Sequence, residues 1–153
     1  MQRTTTLTVT AVLMLLTAIG IILFWVFFFS DLDAQRESTF ASQSEVWFAW
    51  ELSFPLADGW VALTAIAGAI GLWRGRPTGL LFGLVSGGAL VFLGLIDLLF
   101  FLENGLYLPM NAEAAIELLI HLWAMGFGLF TIVIIWSRGD AFCREALSER
   151  GAL

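Results

Sequence analysis

Four long apolar runs, separated by short polar or Gly/Pro-bearing segments, set the plan of the chain. The first goes from about Leu7 to Phe29 and stops at Ser30-Asp31-Leu32-Asp33. The second begins near Val46, takes in Glu51 and Asp58, and runs to Trp73, where Arg74-Gly75-Arg76-Pro77 predicts a tight turn. The third covers about Thr78 to Leu102 and is broken by Glu103-Asn104-Gly105. The fourth covers about Ala112 to Trp136 and leaves a short tail of mixed charge that predicts a frayed helical end. Each run has roughly twenty or more residues, the length needed to cross a bilayer as an α-helix. The pattern predicts an all-α integral membrane four-helix bundle, with residues 1–153 as a single domain.

Composition supports lipid as the solvent: 59% of residues are apolar and only 13% are charged. The first run is too long, and ends in residues too bulky (Phe27, Phe28 and Phe29), for a cleaved signal peptide, so it is expected to stay as the first span. Net charge is −6, yet ten of the thirteen acids lie between Asp31 and Glu117, so their placement says more than their sum. Arg3, Arg74, Arg76, Arg138, Arg144 and Arg150 fall on one side of a four-span layout and only Arg36 on the other. The positive-inside rule then puts both termini in the cytoplasm and the protein in a membrane as a multi-pass chain, the cell membrane in a prokaryote. The lone Cys143 allows no intrachain disulfide, and no basic cluster points to nucleic acid.

An ionisable group at the centre of an inserting helix costs roughly 2.5–3.5 kcal/mol, so acids inside spans should face an interior or a wet cavity. Glu51 and Asp58, seven apart, predict one face of the second helix, which continues through Ala62, Ala65 and Ala69. On the third, Gly79, Gly83, Gly87 and Gly94 share a stripe with Asp97; on the fourth, Glu113, Glu117 and His121 are followed by Ala124 and Gly128. Topology gathers these polar groups into one half of the membrane. Carboxyls crowded there in low dielectric should raise one another's pKa, the usual condition for proton transfer. Plainer roles compete: Asp31, Glu103 and Glu113 read as solvated helix-end acids, the glycine stripe as packing, His121 as an interior histidine hydrogen-bonded to Glu117, and the tryptophans as interfacial or lipid-facing. Glu117 precedes the single His by four residues instead of three, so the di-iron Glu-x-x-His pattern is missing and no metal is expected. Neither a phosphate loop nor a nucleophile elbow occurs, and no cofactor is expected.

Two segments, Phe29-Ser30-Asp31-Leu32 and Trp47 through Glu51-Leu52-Ser53-Phe54-Pro55, resemble the emopamil-binding-protein-like (EXPERA) membrane family, which includes sterol isomerases and the sigma-2 receptor. The resemblance implies a four-helix bundle with cytoplasmic termini and a buried ligand cavity lined by Asp31 and Glu51. Those isomerases carry a histidine one turn before the glutamate, where this chain has Trp47; His121 would have to replace it. An uncharacterised bacterial family of small four-span proteins is the other assignment.

The leading functional expectation is an acid-lined intramembrane cavity that binds a membrane lipid or hydrophobic small molecule, a sterol or isoprenoid, and isomerises it by proton transfer. Glu51, Asp58, Asp97 and His121 are the candidate catalytic groups, and Asp31, Trp47, Glu51 and Glu117 the candidate ligand contacts. A proton- or cation-coupled transporter, acting as a homodimer, is the second expectation. The cytoplasmic half offers it almost no polar groups besides Thr64, Ser86 and Thr131. A structural or assembly subunit is the third.

Overall fold

The computed structural model describes residues 5–150, and these fold into helices joined by short connections. Four helices are long and apolar enough to cross a membrane: α1 (Thr5–Ser30), α5 (Pro55–Trp73), α6 (Pro77–Glu103) and α7 (Ala112–Arg150), the last through its segment Ala112–Gly139. Three short helices lie between α1 and α5, namely α2 (Leu32–Arg36), α3 (Thr39–Gln43) and α4 (Trp47–Glu51).

The expected continuous second helix from Val46 to Trp73 is therefore two helices. Pro55 is the cause: it has no N–H to donate to the carbonyl four residues back, so the hydrogen-bond ladder of α4 cannot run through it, and it opens α5 at the first turn, where no such bond is needed, while α4 stops at Glu51. The polar segment from Ser30 to Glu45, between the first two apolar runs, holds two capped helical turns. Asp31 Oδ1 accepts from Ala34 N at 2.9 Å, and Ser38 Oγ accepts from Ala41 N at 3.3 Å. Beyond Trp136, where the last span was expected to end, α7 runs on to Arg150 through residues such as Ala141, Glu145 and Leu147 that favour helix. Arg3 lies outside the described residues.

Glycine closes the two tight connections. Gly75 and Gly105 have φ of 62° and 67°, and Arg76 N donates to Gly71 O and Leu106 N to Phe101 O, the reversal that satisfies the last carbonyls of α5 and α6. The long helices alternate in direction. α6 packs along both α5 and α7, and α5 packs along α1, whereas α1 and α7 touch only sparsely. The glycine stripe permits the close approach: a Cβ on Gly68 would come 2.9 Å from Gly83 N, and one on Gly87 would come 3.0 Å from Gly128 O.

Two cores result. One is aliphatic, at the Arg74 end, and includes Met14, Ala65, Leu72, Leu90 and Ile135. At the other end an aromatic layer of Trp25, Phe28, Phe40, Trp47, Phe100, Phe101 and Tyr107 binds α2, α3, α4 and the 104–111 connection onto the long helices. Apolar side chains such as Leu16, Phe27, Leu99, Leu119 and Val133 stay largely exposed around the outside, as lipid-facing positions would.

Candidate functional site: an acid-lined cavity

Between the aliphatic core and the aromatic layer lies a cavity of about 220 Å³. Thr17, Gly20, Ile21 and Phe24 of α1, Glu51 of α4, Asp58 of α5, Leu90, Leu93 and Asp97 of α6, and Glu117, Ile120, His121, Trp123 and Ala124 of α7 line it. Five of the seven side chains singled out from the sequence thus meet at one place: Glu51, Asp58, Asp97, Glu117 and His121. Asp31 and Trp47 do not. Asp31 is exposed and caps α2, and Trp47 is buried against Phe28 and Phe40 within the aromatic layer. Of the two positions that the EXPERA resemblance would put in a ligand cavity, Glu51 lines it and Asp31 does not. Glu103 and Glu113 are exposed at helix ends.

Each long helix delivers its acid by its own periodicity. Asp97 follows Leu93 and Leu90 at helical spacing on the α6 stripe that faces inward, and Glu117 stands one turn before His121 on α7. Glu51 arrives differently, because the α4–α5 break at Ser53-Phe54 lets the end of α4 reach the cavity as a separate short helix. Burial, with Glu117, Asp97 and Asp58 as neighbouring acids, holds the Glu51 carboxyl well above the usual glutamate range.

Tryptophans anchor two of the acids. Trp25 Nε1 donates to Asp58 Oδ2 at 2.8 Å, and Trp50 Nε1 donates to Asp97 Oδ1 at 3.4 Å while its ring stacks on Phe100 at 4.2 Å. Trp60 and Trp136 are 53% and 78% exposed, as interfacial or lipid-facing tryptophans would be, whereas Trp25 and Trp47, at 8% and 4%, are interior. His121 is 4% exposed, and Nδ1 lies 2.6 Å from the Tyr107 hydroxyl; Nε2 is 3.8 Å from Glu117 Oε2, too far for a hydrogen bond. Sequence reasoning missed Trp25, Trp50 and Tyr107, whose partners are 33, 47 and 14 residues away. Nothing local announces the first two pairings. Tyr107, the single tyrosine in a short connection just before the helix with the single histidine, was the one legible clue.

The chain matches no family model, no curated protein and no solved structure. The likeness to the EXPERA family therefore rests on its two short segments.

The cavity opens sideways. Phe24, Ile120 and Trp123 are 37%, 47% and 46% exposed, and they flank the gap between α1 and α7. Among the described residues one side-chain hydrogen bond, Trp123 Nε1 to Thr17 Oγ1 at 3.1 Å, spans that gap. Among the described residues no group of three or more His, Cys, Asp or Glu side chains is placed to hold a metal ion, and the carboxyls surround the space instead of converging on a point. Such an arrangement can offer protons or hydrogen bonds to a group placed among them, and among the described residues that line it there is no Lys or Arg to neutralise an anion.

Proposed function

We propose that this protein takes the head of a lipid-like molecule, of sterol or isoprenoid type, from the bilayer into the acid-lined cavity and moves a proton on it. The observation that carries the reading is the convergence of Glu51, Asp58, Asp97, Glu117 and His121 on a space whose mouth lies between two membrane-length helices. Size narrows the ligand's pose. About 220 Å³ is below the roughly 300–1,000 Å³ of pockets that enclose a drug-sized ligand, so the head and first carbons would sit inside while the rest extends through the α1–α7 gap. Arg74, Arg76 and Arg138 share one end of the helices, which the reading places in the cytoplasm. The cavity then belongs to the opposite half of the membrane.

Chemically, Glu51 is the proton donor in this reading. A double bond protonated at one carbon becomes a cation that Asp58 or Asp97 stabilises, and loss of a proton from the neighbouring carbon to a carboxylate completes an isomerisation with no net change in protons. The test is mass spectrometry of small molecules that co-purify with wild type and with Glu51→Gln. A discrete sterol or isoprenoid enriched in wild type and lost in the variant is expected; bulk phospholipid alone in both would overturn the reading.

Proton-coupled transport is favoured by a separate observation. Ser86 and Thr131, both 1% exposed, have hydroxyls without a hydrogen-bond partner among the described residues; toward the Arg74 end Ser86 continues the α6 stripe of Asp97 and Leu93 at spacings of four and seven, and Thr131 the heptad-spaced stripe of Glu117 and Ala124 on α7. Vesicles reconstituted with the protein and a pH-sensitive dye separate the readings: proton flux abolished by Asp97→Asn supports transport, and no flux above empty vesicles excludes it.

A further inference from the structure

The Tyr107–His121 pair fixes which hydrogen the cavity sees. The phenol is 7% and the imidazole 4% exposed, and the Phe101 ring stands edge-on to the imidazole at 4.9 Å, so the ring cannot turn over without repacking the aromatic layer. Among the described residues the Tyr107 hydroxyl has no hydrogen-bond partner other than Nδ1 of His121. Burial, with Glu117 and Asp97 nearby, pushes the phenol up to about 12, so it keeps its hydrogen and must place it. A phenol donating to Nδ1 requires a lone pair there, and the ring hydrogen then sits on Nε2. Nε2 lies on the Glu117 side of the ring and has no hydrogen-bond partner among the described residues. The other titratable groups around the space are Glu51, Asp58, Asp97 and Glu117, all acids.

We propose that Tyr107 is a positioning residue that holds His121 as the Nε2–H tautomer, and that the ligand's head is an uncharged oxygen, that of an alcohol or ketone, which accepts this N–H. The ligand half of the proposal rests on the reading of the cavity as a lipid site; the tautomer half does not. An anionic head would meet acids and no cation. A protonated amine has no lone pair to accept this N–H, and a plain hydrocarbon would leave it unpaired.

The chain has one histidine, so ¹⁵N-histidine labelling in lipid nanodiscs gives one pair of ring-nitrogen resonances. Wild type without added ligand should show the hydrogen on Nε2 and a lone pair on Nδ1. Tyr107→Phe should become a mixture of tautomers, with unchanged helical content as the control for folding. A wild-type ring with its hydrogen on Nδ1, or a doubly protonated ring at neutral pH, would overturn the tautomer assignment. Geranylgeraniol, geranylgeranylamine and the corresponding hydrocarbon are then added in turn. The alcohol should move the Nε2 resonance and bind about threefold to tenfold more tightly than the hydrocarbon, as one net hydrogen bond allows, and that margin should shrink in Tyr107→Phe. Preference for the amine would overturn the oxygen assignment while keeping the cavity as a lipid site. No response to any of the three would overturn the ligand half together with the lipid reading, and the spectrum without ligand would still decide the tautomer.

Discussion

Trp25→Phe removes one donor from the site and little else. The indole N–H that reaches Asp58 at 2.8 Å is lost, while a six-membered ring remains to pack against Phe24, Phe28 and Phe29, whose centroids lie 5.1–5.4 Å from that of Trp25. Hydrogen bonds between transmembrane helices average about 0.6 kcal/mol and reach about 1.7. A fully buried acceptor left unpaired would raise the loss to about 1–3 kcal/mol, but Asp58 lines the cavity, where solvent or a ligand head can replace the indole. The coupling between Trp25→Phe and Asp58→Ala should therefore be about 0.5–1.5 kcal/mol. It is read from a double-mutant cycle by reversible unfolding in mixed micelles, in which the packing loss of the smaller ring cancels. Additivity within about 0.3 kcal/mol would refute the anchoring of Asp58 by Trp25.

Three further outcomes follow from the same geometry. The folded state holds the Glu51 carboxyl above its unfolded value of 4.5, so it binds that proton more tightly than the unfolded chain; this contribution to stability is complete below the unfolded value and fades as pH rises through the folded one. Unfolding measured against pH should show the decline in wild type and a flatter profile in Glu51→Gln; equal slopes would contradict it. Gly94→Ala should destabilise by about 1–3 kcal/mol, because its Cβ would come 2.9 Å from the His121 carbonyl oxygen, whereas Gly88→Ala on the same helix meets nothing within 4 Å and should be neutral or mildly stabilising. Equal melting temperatures for the two variants would refute the close α6–α7 approach. Trp123→Phe removes the Trp123–Thr17 hydrogen bond across the α1–α7 gap, and spin labels at exposed positions of the two helices should show a broader distance distribution than wild type; an unchanged distribution would mean that the bond does not hold the gap.

The spans were legible because a bilayer imposes length and apolarity on a helix, and both are counted directly along a chain. The inward faces of Asp97 and Glu117 were legible from the small residues that share their stripes. Glu51 reached the same cavity by a route that periodicity misread: Pro55 ends the helix on which it was placed beside Asp58, and the break lets the carboxyl reach the cavity on a separate short helix. Asp31 and Trp47 were assigned to the site by likeness to other proteins, and local chemistry claims them instead, one as a cap and one in the aromatic layer. The indole anchors could not be read at all. Pairing Trp25 with Asp58 or Trp50 with Asp97 requires knowing how α1 and α4 pack, and an amphipathic ring scores as an interfacial residue wherever it falls in a sequence.

Entry of a lipid-like head from the bilayer between α1 and α7 can be followed by photolabelling in native membranes. The probe is an isoprenoid alcohol with its photoreactive group beside the oxygen, and the labelled residues are mapped by peptide mass spectrometry. Labelling of Leu90 and Leu93, only 4% and 7% exposed and reachable through the cavity, and its loss in Glu51→Gln, is the predicted result. Labelling confined to outward-facing side chains such as Leu16, Leu129 and Val133, 57%, 54% and 63% exposed, and unchanged in Glu51→Gln, would contradict it.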